Sequence, residues 1–246
     1  MSNNKPAQLH ARLKQPGLVT APGVYDMVSL RLADSFGFEA LYMTGFGTVA
    51  SHMGLPDAGL ATYSDMVGRV GRFAQMAKTP VIADADTGYG GMLDVQRTIQ
   101  LWEEAGASCL HLEDQALPKK CGHFAGKQLV TQQEMVQKLR AMLAARRDPN
   151  FFVVARTDAI AVTGLEDALD RLEAYAAAGA DGLYADAPTS LDMLREIGRR
   201  LKPLGKPILF NMVTSGKSPV LSLSQVHELG FAFALCPIES VLAMHK

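Results

Sequence analysis

The sequence predicts a (β/α)8 barrel, an α/β fold of the TIM type, with a helix before the first strand and a short or truncated helix after the last. Three observations carry this prediction. Eight apolar segments read as strands, at about 18–22, 39–44, 80–86, 108–114, 151–157, 182–186, 207–211 and 231–236. Helical patterns separate most of them. The segments are nearly continuously apolar, as parallel strands are when helices cover the sheet. Eight alternating units in 246 residues suit a closed barrel. A doubly wound open sheet is the alternative.

A helix over roughly 5–14 precedes the first strand. After it a unit recurs: a helix ends in Gly, a few residues pass, and an apolar strand ends in polar residues. Ser35-Phe-Gly-Phe-Glu-Ala-Leu-Tyr-Met-Thr-Gly45, Glu104-Ala-Gly-Ala-Ser-Cys-Leu-His-Leu-Glu-Asp114, Ala178-Gly-Ala-Asp-Gly-Leu-Tyr-Ala-Asp186 and Leu229-Gly-Phe-Ala-Phe-Ala-Leu-Cys-Pro237 are four copies. Gly37, Gly106, Gly179 and Gly230 fit helix C-caps, where glycine takes the left-handed conformation at little cost. Thr131-x-x-Glu134 is a capping box opening a helix with Met135, Leu139, Met142 and Leu143 on one face. Leu165, Ala168, Leu169, Leu172 and Tyr175 form the apolar stripe of the next helix. After the last strand only a short helical stretch remains before Lys246. With no linker or low-complexity stretch, residues 1–246 read as one domain.

Composition narrows the function. A net charge of -1 gives no electrostatic basis for binding nucleic acid or a membrane surface. No apolar run reaches membrane-spanning length, and the N-terminus lacks the apolar core of a signal peptide. Cys109, Cys121 and Cys236 are widely spaced and odd in number, which argues for a reducing, cytoplasmic setting without a disulfide framework. Cys109 and Cys236 fall inside strands and read as core, as does the single Trp102.

A barrel keeps its chemistry at the C-terminal ends of its strands. The polar residues fall there: Tyr42 and Thr44-Gly45 on the second strand, Asp84 and Asp86 on the third, His111 and Glu113 on the fourth, Arg156 and Asp158 on the fifth, Asp186 on the sixth and Asn211 on the seventh. Any one of them could cap a helix or solvate a loop. So many ionisable groups on one rim exceed what a structural barrel requires.

Two stretches stand out. In Val81-Ile-Ala-Asp-Ala-Asp-Thr-Gly-Tyr-Gly-Gly91, Asp84 and Asp86 are two apart, so an extended chain points both to one face. Adjacent carboxylates repel, and a hard divalent cation relieves the cost; Mg2+ takes one or two protein carboxylates and keeps several waters. For an isolated Asp-x-Asp, a helix cap and a solvated neighbour is the plainer account. The second stretch is Lys119-Lys-Cys-Gly-His123 after the fourth strand. Two lysines and a histidine beside a cysteine favour the thiolate and suit Cys121 to proton transfer, while Lys and His could bind a substrate carboxylate. The plainer account is a solvated basic loop. Cys-x-His alone supplies too few ligands for zinc.

Asp84-x-Asp86 with Gly88 and Gly90, Gly54-Leu-Pro-Asp57, Glu113-Asp-Gln115, Lys119-Lys-Cys-Gly-His123 and Ala155-Arg-Thr-Asp158 together resemble the isocitrate lyase/phosphoenolpyruvate mutase superfamily, in the right order over nearly the whole chain. The cysteine-bearing loop resembles its lyase side, the 2-methylisocitrate and 2,3-dimethylmalate lyases. The resemblance implies Mg2+ or Mn2+, cleavage of a C–C bond in a 2-hydroxy di- or tricarboxylate, and a homo-oligomer, dimer or tetramer. It implies that Asp86 ligates the metal, with Asp84 and Glu113 nearby and partly through water. It places Tyr42, Thr44, Gly45 and Phe46 around the 2-oxo acid half, with Asp57 in the substrate pocket and Arg156 clamping a carboxylate. It makes Cys121 the general acid, with Lys119 beside it in the catalytic loop. His123, Gly122 and Asn211 would hold the departing acid, and Asp186 stands where these lyases usually have Glu. Tyr42 is the candidate base.

Departures are also legible. Phe46 is bulky where methylisocitrate lyases have Gly, and Asn211-Met-Val-Thr-Ser-Gly216 lacks their Thr-Glu pair, which weakens the case for a tricarboxylate. Oxaloacetate or 2-oxo acid decarboxylation, phosphonate formation and silent dicarboxylate binding are the competing readings.

Overall fold

The computed structural model describes residues 4–122, 124–214 and 216–244. Among them eight parallel strands close in sequence order, β1-β2-β3-β4-β5-β6-β7-β8, with β1 hydrogen-bonded to β8. The strands are β1 Val19–Val24, β2 Leu41–Met43, β3 Val81–Asp84, β4 Cys109–Glu113, β5 Phe152–Thr157, β6 Gly182–Ala185, β7 Ile208–Asn211 and β8 Phe233–Cys236. The helices are α1 Lys5–Leu13, α2 Met27–Ser35, α3 Gly45–Met53, α4 Tyr63–Met76, α5 Met92–Ala105, α6 Gln132–Ala145, α7 Leu165–Ala177, α8 Leu191–Leu201, α9 Leu223–Glu228 and α10 Glu239–Met244. The closed barrel and the helix before it stand as the sequence predicts, and α10 is the short last helix. None of the described helices is long and apolar enough to cross a membrane.

Apart from β1, which runs on to Val24, the strands are shorter than their apolar runs. The second covers three residues rather than 39–44, and the third stops at Asp84 rather than at 86. Asp86 has φ 47, so it lies in a left-handed turn and not on an extended strand. The expectation that a two-residue strand spacing aligns Asp84 with Asp86 is therefore corrected. The turn brings them together instead: the Asp86 N–H donates to Asp84 Oδ1 at 3.0 Å. Gly88 at φ 76 and Gly90 at φ 159 carry the same turn toward α5.

The helix-ending glycines act as read, while Thr131 caps α6 from one side without the reciprocal bond of a capping box. Gly37, Gly106, Gly179 and Gly230 all have positive φ. Thr131 accepts from the Glu134 N–H at 3.1 Å. Met135, Leu139 and Met142 on α6, and Ala168, Leu169, Leu172 and Tyr175 on α7, are buried; Leu143 and Leu165 sit at the edge of that core.

Two apolar layers hold the barrel. The outer one packs strand residues such as Leu41, Val81, Leu110 and Val153 against the helices, with Trp102 fully buried between Tyr63 and Tyr89. The inner one fills the barrel with Val19, Ala21, Ile82, Cys109, Phe152, Val154, Leu209 and Phe233, and α1 closes its floor with Leu9 and Leu13. Side chains alternate in and out along a strand. Following the inward set upward, Ile82 gives way to Asp84, Cys109 to His111 and Glu113, Val154 to Arg156, Tyr184 to Asp186 and Leu209 to Asn211. The lower barrel is thus a dry plug and its upper mouth is ionisable. Cys109 is buried in this plug as expected, while Cys236 at the end of β8 is only partly buried.

Candidate active site

A cavity of about 260 Å3 opens at the C-terminal mouth of the barrel. Tyr42, Thr44, Gly45 and Phe46 line one side, at the end of β2 and the start of α3. Asp84, Arg156, Asp186 and Asn211 contribute from four further strand ends. Asp57, Lys119, Cys121 and Gly122 reach in from two loops. Asp86 and Glu113 are buried beneath these residues rather than on the cavity wall. His123 lies outside the described residues. Phe124, Val213, Pro237 and Ile238, not singled out from the sequence, complete an apolar part of the wall.

The loop carrying Cys121 is tied at its base. Gln115 and Leu129 form an antiparallel bridge, and the Ala116 N–H donates to the Gln128 carbonyl at 2.8 Å. Its tip is docked on the barrel. The Cys121 N–H donates to the Asp57 carbonyl at 3.2 Å. Lys119 Nζ lies 2.5 Å from both Asp57 Oδ1 and Asp86 Oδ1. Gly122 sits so close to the mouth that a Cβ there would fall 2.0 Å from Asp186 Oδ2 and 2.6 Å from Arg156 Nη2. The plainer picture of a solvated basic loop is corrected: Lys119 is buried, and its ammonium is held by two aspartates rather than free for a substrate carboxylate.

Arg156 is likewise engaged. Its guanidinium meets Asp158 at 2.9 and 3.1 Å, Glu113 at 3.2 Å and Asp186 at 3.3 Å, and lies over the Tyr184 ring at 5.1 Å. Tyr184 in turn donates to Asp186. Any carboxylate that Arg156 clamps shares the guanidinium with these partners.

Burial dominates the electrostatics. Asp86 is raised to about 7 by burial, with Lys119 opposing and Asp84 and Asp57 adding to the rise. Glu113 is pushed well up by burial, against Arg156. Burial would also raise Asp84, but His111, Lys119 and Arg156 outweigh it and hold this carboxyl below its ordinary value. Lys119 stays firmly charged because Asp86, Glu113 and Asp57 outweigh the cost of burying it. Tyr42 is raised well above an ordinary phenol by burial and by Asp84. Its Oη lies 2.9 Å from His111 Nε2 and 3.5 Å from Asp84 Oδ2. Asp84 Oδ1 is 3.5 Å from His111 Nδ1, which makes no hydrogen bond. Tyr42 is thus a neutral phenol here rather than the ready base expected of it.

Among the described residues no three His, Cys, Asp or Glu side chains form a preassembled metal cluster. The expected trio is divided among other partners: Asp84 faces His111, Asp86 faces Lys119 and Glu113 faces Arg156. The donor chemistry still suits a hard cation. Asp57, Asp84, Asp86, Glu113, Asp158 and Asp186 are buried, with Lys119, Lys127 and Arg156 set among them. Glu113 Oε1 is buried without a hydrogen-bond partner.

Lys127 is the part the sequence reading passed over, and Asp158 was named there without a role. Lys127 is a lone lysine in a polar loop and carries no pattern that separates it from a solvated one. Asp158 was legible only as a polar strand end. The Tyr184/Asp186 pair had a signal in its spacing of two along a strand.

An acid-rich barrel mouth covered by a cysteine-bearing loop defines a carboxylate-handling enzyme of the (β/α)8 type. The chain belongs to the phosphoenolpyruvate mutase/isocitrate lyase superfamily: the phosphoenolpyruvate phosphomutase family matches residues 9–245. It is 39% identical to 2,3-dimethylmalate lyase of Eubacterium barkeri over 99% of this chain and 83% of that one. It is 40% identical to 2-methylisocitrate lyase of Aeropyrum pernix over 97% of this chain and 75% of that one. Among solved structures, oxaloacetate acetylhydrolase with the inhibitor 3,3-difluorooxalacetate superposes with a TM-score of 0.95 at 35% identity, over 99% of this chain and 83% of that one. Phosphonopyruvate hydrolase bound to oxalate and Mg2+ superposes with a TM-score of 0.86 at 28% identity, over 99% and 83%.

Proposed function

We propose that the protein is a divalent-cation-dependent carbon–carbon lyase that cleaves a substituted 2-hydroxy dicarboxylate into a 2-oxo acid and a carboxylic acid. The observation that carries this reading is Cys121 lining one cavity with Asp57, Asp84 and Asp186. Retro-aldol-type cleavage needs an electrophile for the developing carbonyl, and a proton donor on the opposite side for the carbanion.

Asp84, Asp86 and Glu113 would hold the cation, Mg2+ or Mn2+, which would supply Lewis acidity for the developing carbonyl. Arg156 and Asn211 orient the carboxylates. Tyr42 takes the substrate's hydroxyl proton as its own passes to His111 Nε2, 2.9 Å away, and Thr44 and Gly45 form the bed of that end. The Cys121 thiol protonates the carbanion. The docked loop keeps bulk water from that intermediate, whose premature capture would be unproductive.

The cavity wall favours one substrate class. Phe46, Val213, Pro237 and Ile238 present apolar surface, and Val213 stands in the loop after β7 where a methylisocitrate lyase carries its Thr-Glu pair. Among the described lining residues the cations are Lys119 and Arg156, both already paired. An alkyl-substituted malate fits this wall better than a tricarboxylate does.

We further take residues 1–246 to be one catalytic domain of a cytoplasmic homo-oligomer. Among the described residues Cys109, Cys121 and Cys236 form no disulfide, in keeping with a reducing compartment. Val28 and Leu32 on α2 and Phe36 at its C-terminal cap, spaced by four, are 76, 61 and 71% exposed, a stripe suited to contact with another copy.

The test is release of the 2-oxo acid, pyruvate or glyoxylate, from 2,3-dimethylmalate, 2-methylisocitrate, isocitrate and oxaloacetate, with Mg2+ and with EDTA, for wild type and Cys121→Ser. We expect metal-dependent cleavage of 2,3-dimethylmalate to pyruvate and propionate, abolished by the substitution. Turnover of oxaloacetate alone, indifferent to the substitution, would replace the lyase with a decarboxylase, whose chemistry needs no acid at position 121. Binding without turnover of any substrate would make the chain a dicarboxylate binder.

A further inference from the structure

Lys127 is a buried lysine to which the lyase chemistry assigns no part. It lies on the returning arm of the Cys121 loop, and its side chain is 1% exposed. Its Nζ donates to the Gly122 carbonyl at 2.5 Å and to Asp158 Oδ1 at 2.7 Å, and lies 3.8 Å from Asp186 Oδ2. One ammonium therefore joins the loop tip to the barrel. Gly122 is next to Cys121 at the loop tip, while Asp158 follows β5 directly.

Asp158 is itself immobilised. Its backbone N–H donates to Asp114 Oδ1 at 3.0 Å, and its carboxylate receives Arg156 at 2.9 and 3.1 Å. Asp114 is held in turn by Thr157, Tyr175 and Arg171. The anchor for Lys127 is thus rigid and independent of the loop. On the other side of the tip, the Cys121 N–H and Lys119 are fastened to Asp57.

We infer that Lys127 is the latch that holds the loop tip closed over the barrel mouth and thereby positions Cys121. It is a positioning residue, because it acts through the Gly122 carbonyl and touches no reacting atom. A charged lysine suits this task. Its buried ammonium requires acceptors on both sides, and both are aligned only when the tip is down. When the loop lifts, Gly122 leaves the ammonium and the closed arrangement is lost as a unit.

The test reads loop opening without using catalysis. Wild type, Lys127→Met and Lys120→Met are treated with iodoacetamide, and alkylation of each cysteine is followed by peptide mass spectrometry. Removing positive charge near a thiol disfavours its thiolate, so faster labelling can come only from exposure. Lys127→Met is expected to raise the Cys121 rate on the order of tenfold, as suits losing one charged hydrogen bond from a local opening equilibrium. Cys109 stays unlabelled in all three proteins if the barrel remains folded. Lys120, whose Nζ donates to the Ala125 carbonyl at 3.4 Å within the loop, serves as the same-loop control and shows no such rise.

Should Lys127→Met not fold, Lys127→Gln retains a shorter polar donor and is expected to give a smaller rise in the same direction. Wild-type labelling of Cys121 in the folded variants would overturn the latch. The consequence for turnover rests on the lyase reading: kcat falls more than KM changes, since the fault lies in placing Cys121 rather than in holding substrate. If labelling rises and no substrate is turned over by wild type, the latch stands and the lyase reading fails.

Discussion

Lys119 Nζ stands 2.5 Å from Asp86 Oδ1 in a pocket from which both side chains exclude nearly all solvent. The lysine partly offsets the burial of a carboxyl whose pKa is nevertheless raised to about 7. A proton and a divalent cation therefore compete for the same oxygens. We predict that Mg2+ affinity, measured by isothermal titration calorimetry, falls about tenfold for each pH unit below about 7. The sign for folding is opposite. Asp86 rises from 3.8 to about 7 on burial, so the folded chain binds this proton more tightly than the unfolded one. Its contribution to the stability of the metal-free protein is full below the lower value and is lost as pH rises through the upper one. A metal affinity independent of pH between about 5.5 and 8 would contradict the assignment of Asp86.

Gly45 is packed against a second carboxylate of the same floor. A Cβ at this position would fall 2.3 Å from Asp84 Oδ2. Gly45→Ala must displace the aspartate, and overpacking of this kind costs about 1–3 kcal/mol. We expect a modest drop in thermal stability together with a large loss of Mg2+ affinity. Unchanged metal binding in the variant would show that Asp84 has no part in holding the cation.

Asp114 lies behind the site and accepts from Thr157 at 2.6 Å, Tyr175 at 2.8 Å and Arg171 at 3.2 Å. Asp114→Ala leaves these donors buried and releases the Asp158 N–H. Breaking a buried charge pair from one side costs about 3–5 kcal/mol. Urea unfolding should register that loss. Arg156, whose orientation depends on Asp158, should also bind substrate more weakly, seen as a raised KM in the folded fraction.

Trp102 offers a contrast far from the mouth. It is fully buried, with Tyr63 at 5.8 Å and Tyr89 at 5.7 Å between ring centroids. Trp102→Ala should cost about 3–5 kcal/mol through the cavity it leaves. Its effect should appear as a lowered Tm rather than as a changed kcat, and a selective loss of kcat would show that the aromatic cluster supports the Asp86 turn.

The chain by itself determined the barrel. Eight apolar runs, the helix-ending glycines at 37, 106, 179 and 230, and the polar residues closing each strand depend on local periodicity and backbone preference, which a sequence displays directly. It also determined which residues meet at the mouth. Strand ends of a closed barrel share one rim, so Tyr42, Asp84, Arg156, Asp186 and Asn211 could be gathered without coordinates. Only the tertiary structure decided how they are paired. Whether Lys119 faces solvent or Asp86, whether Arg156 is free or held by three carboxylates, and whether Lys127 is solvated or locked beneath Gly122 depend on distances between segments tens of residues apart. Burial then sets their charges, and burial is a property of the packed whole that no single stretch of chain contains.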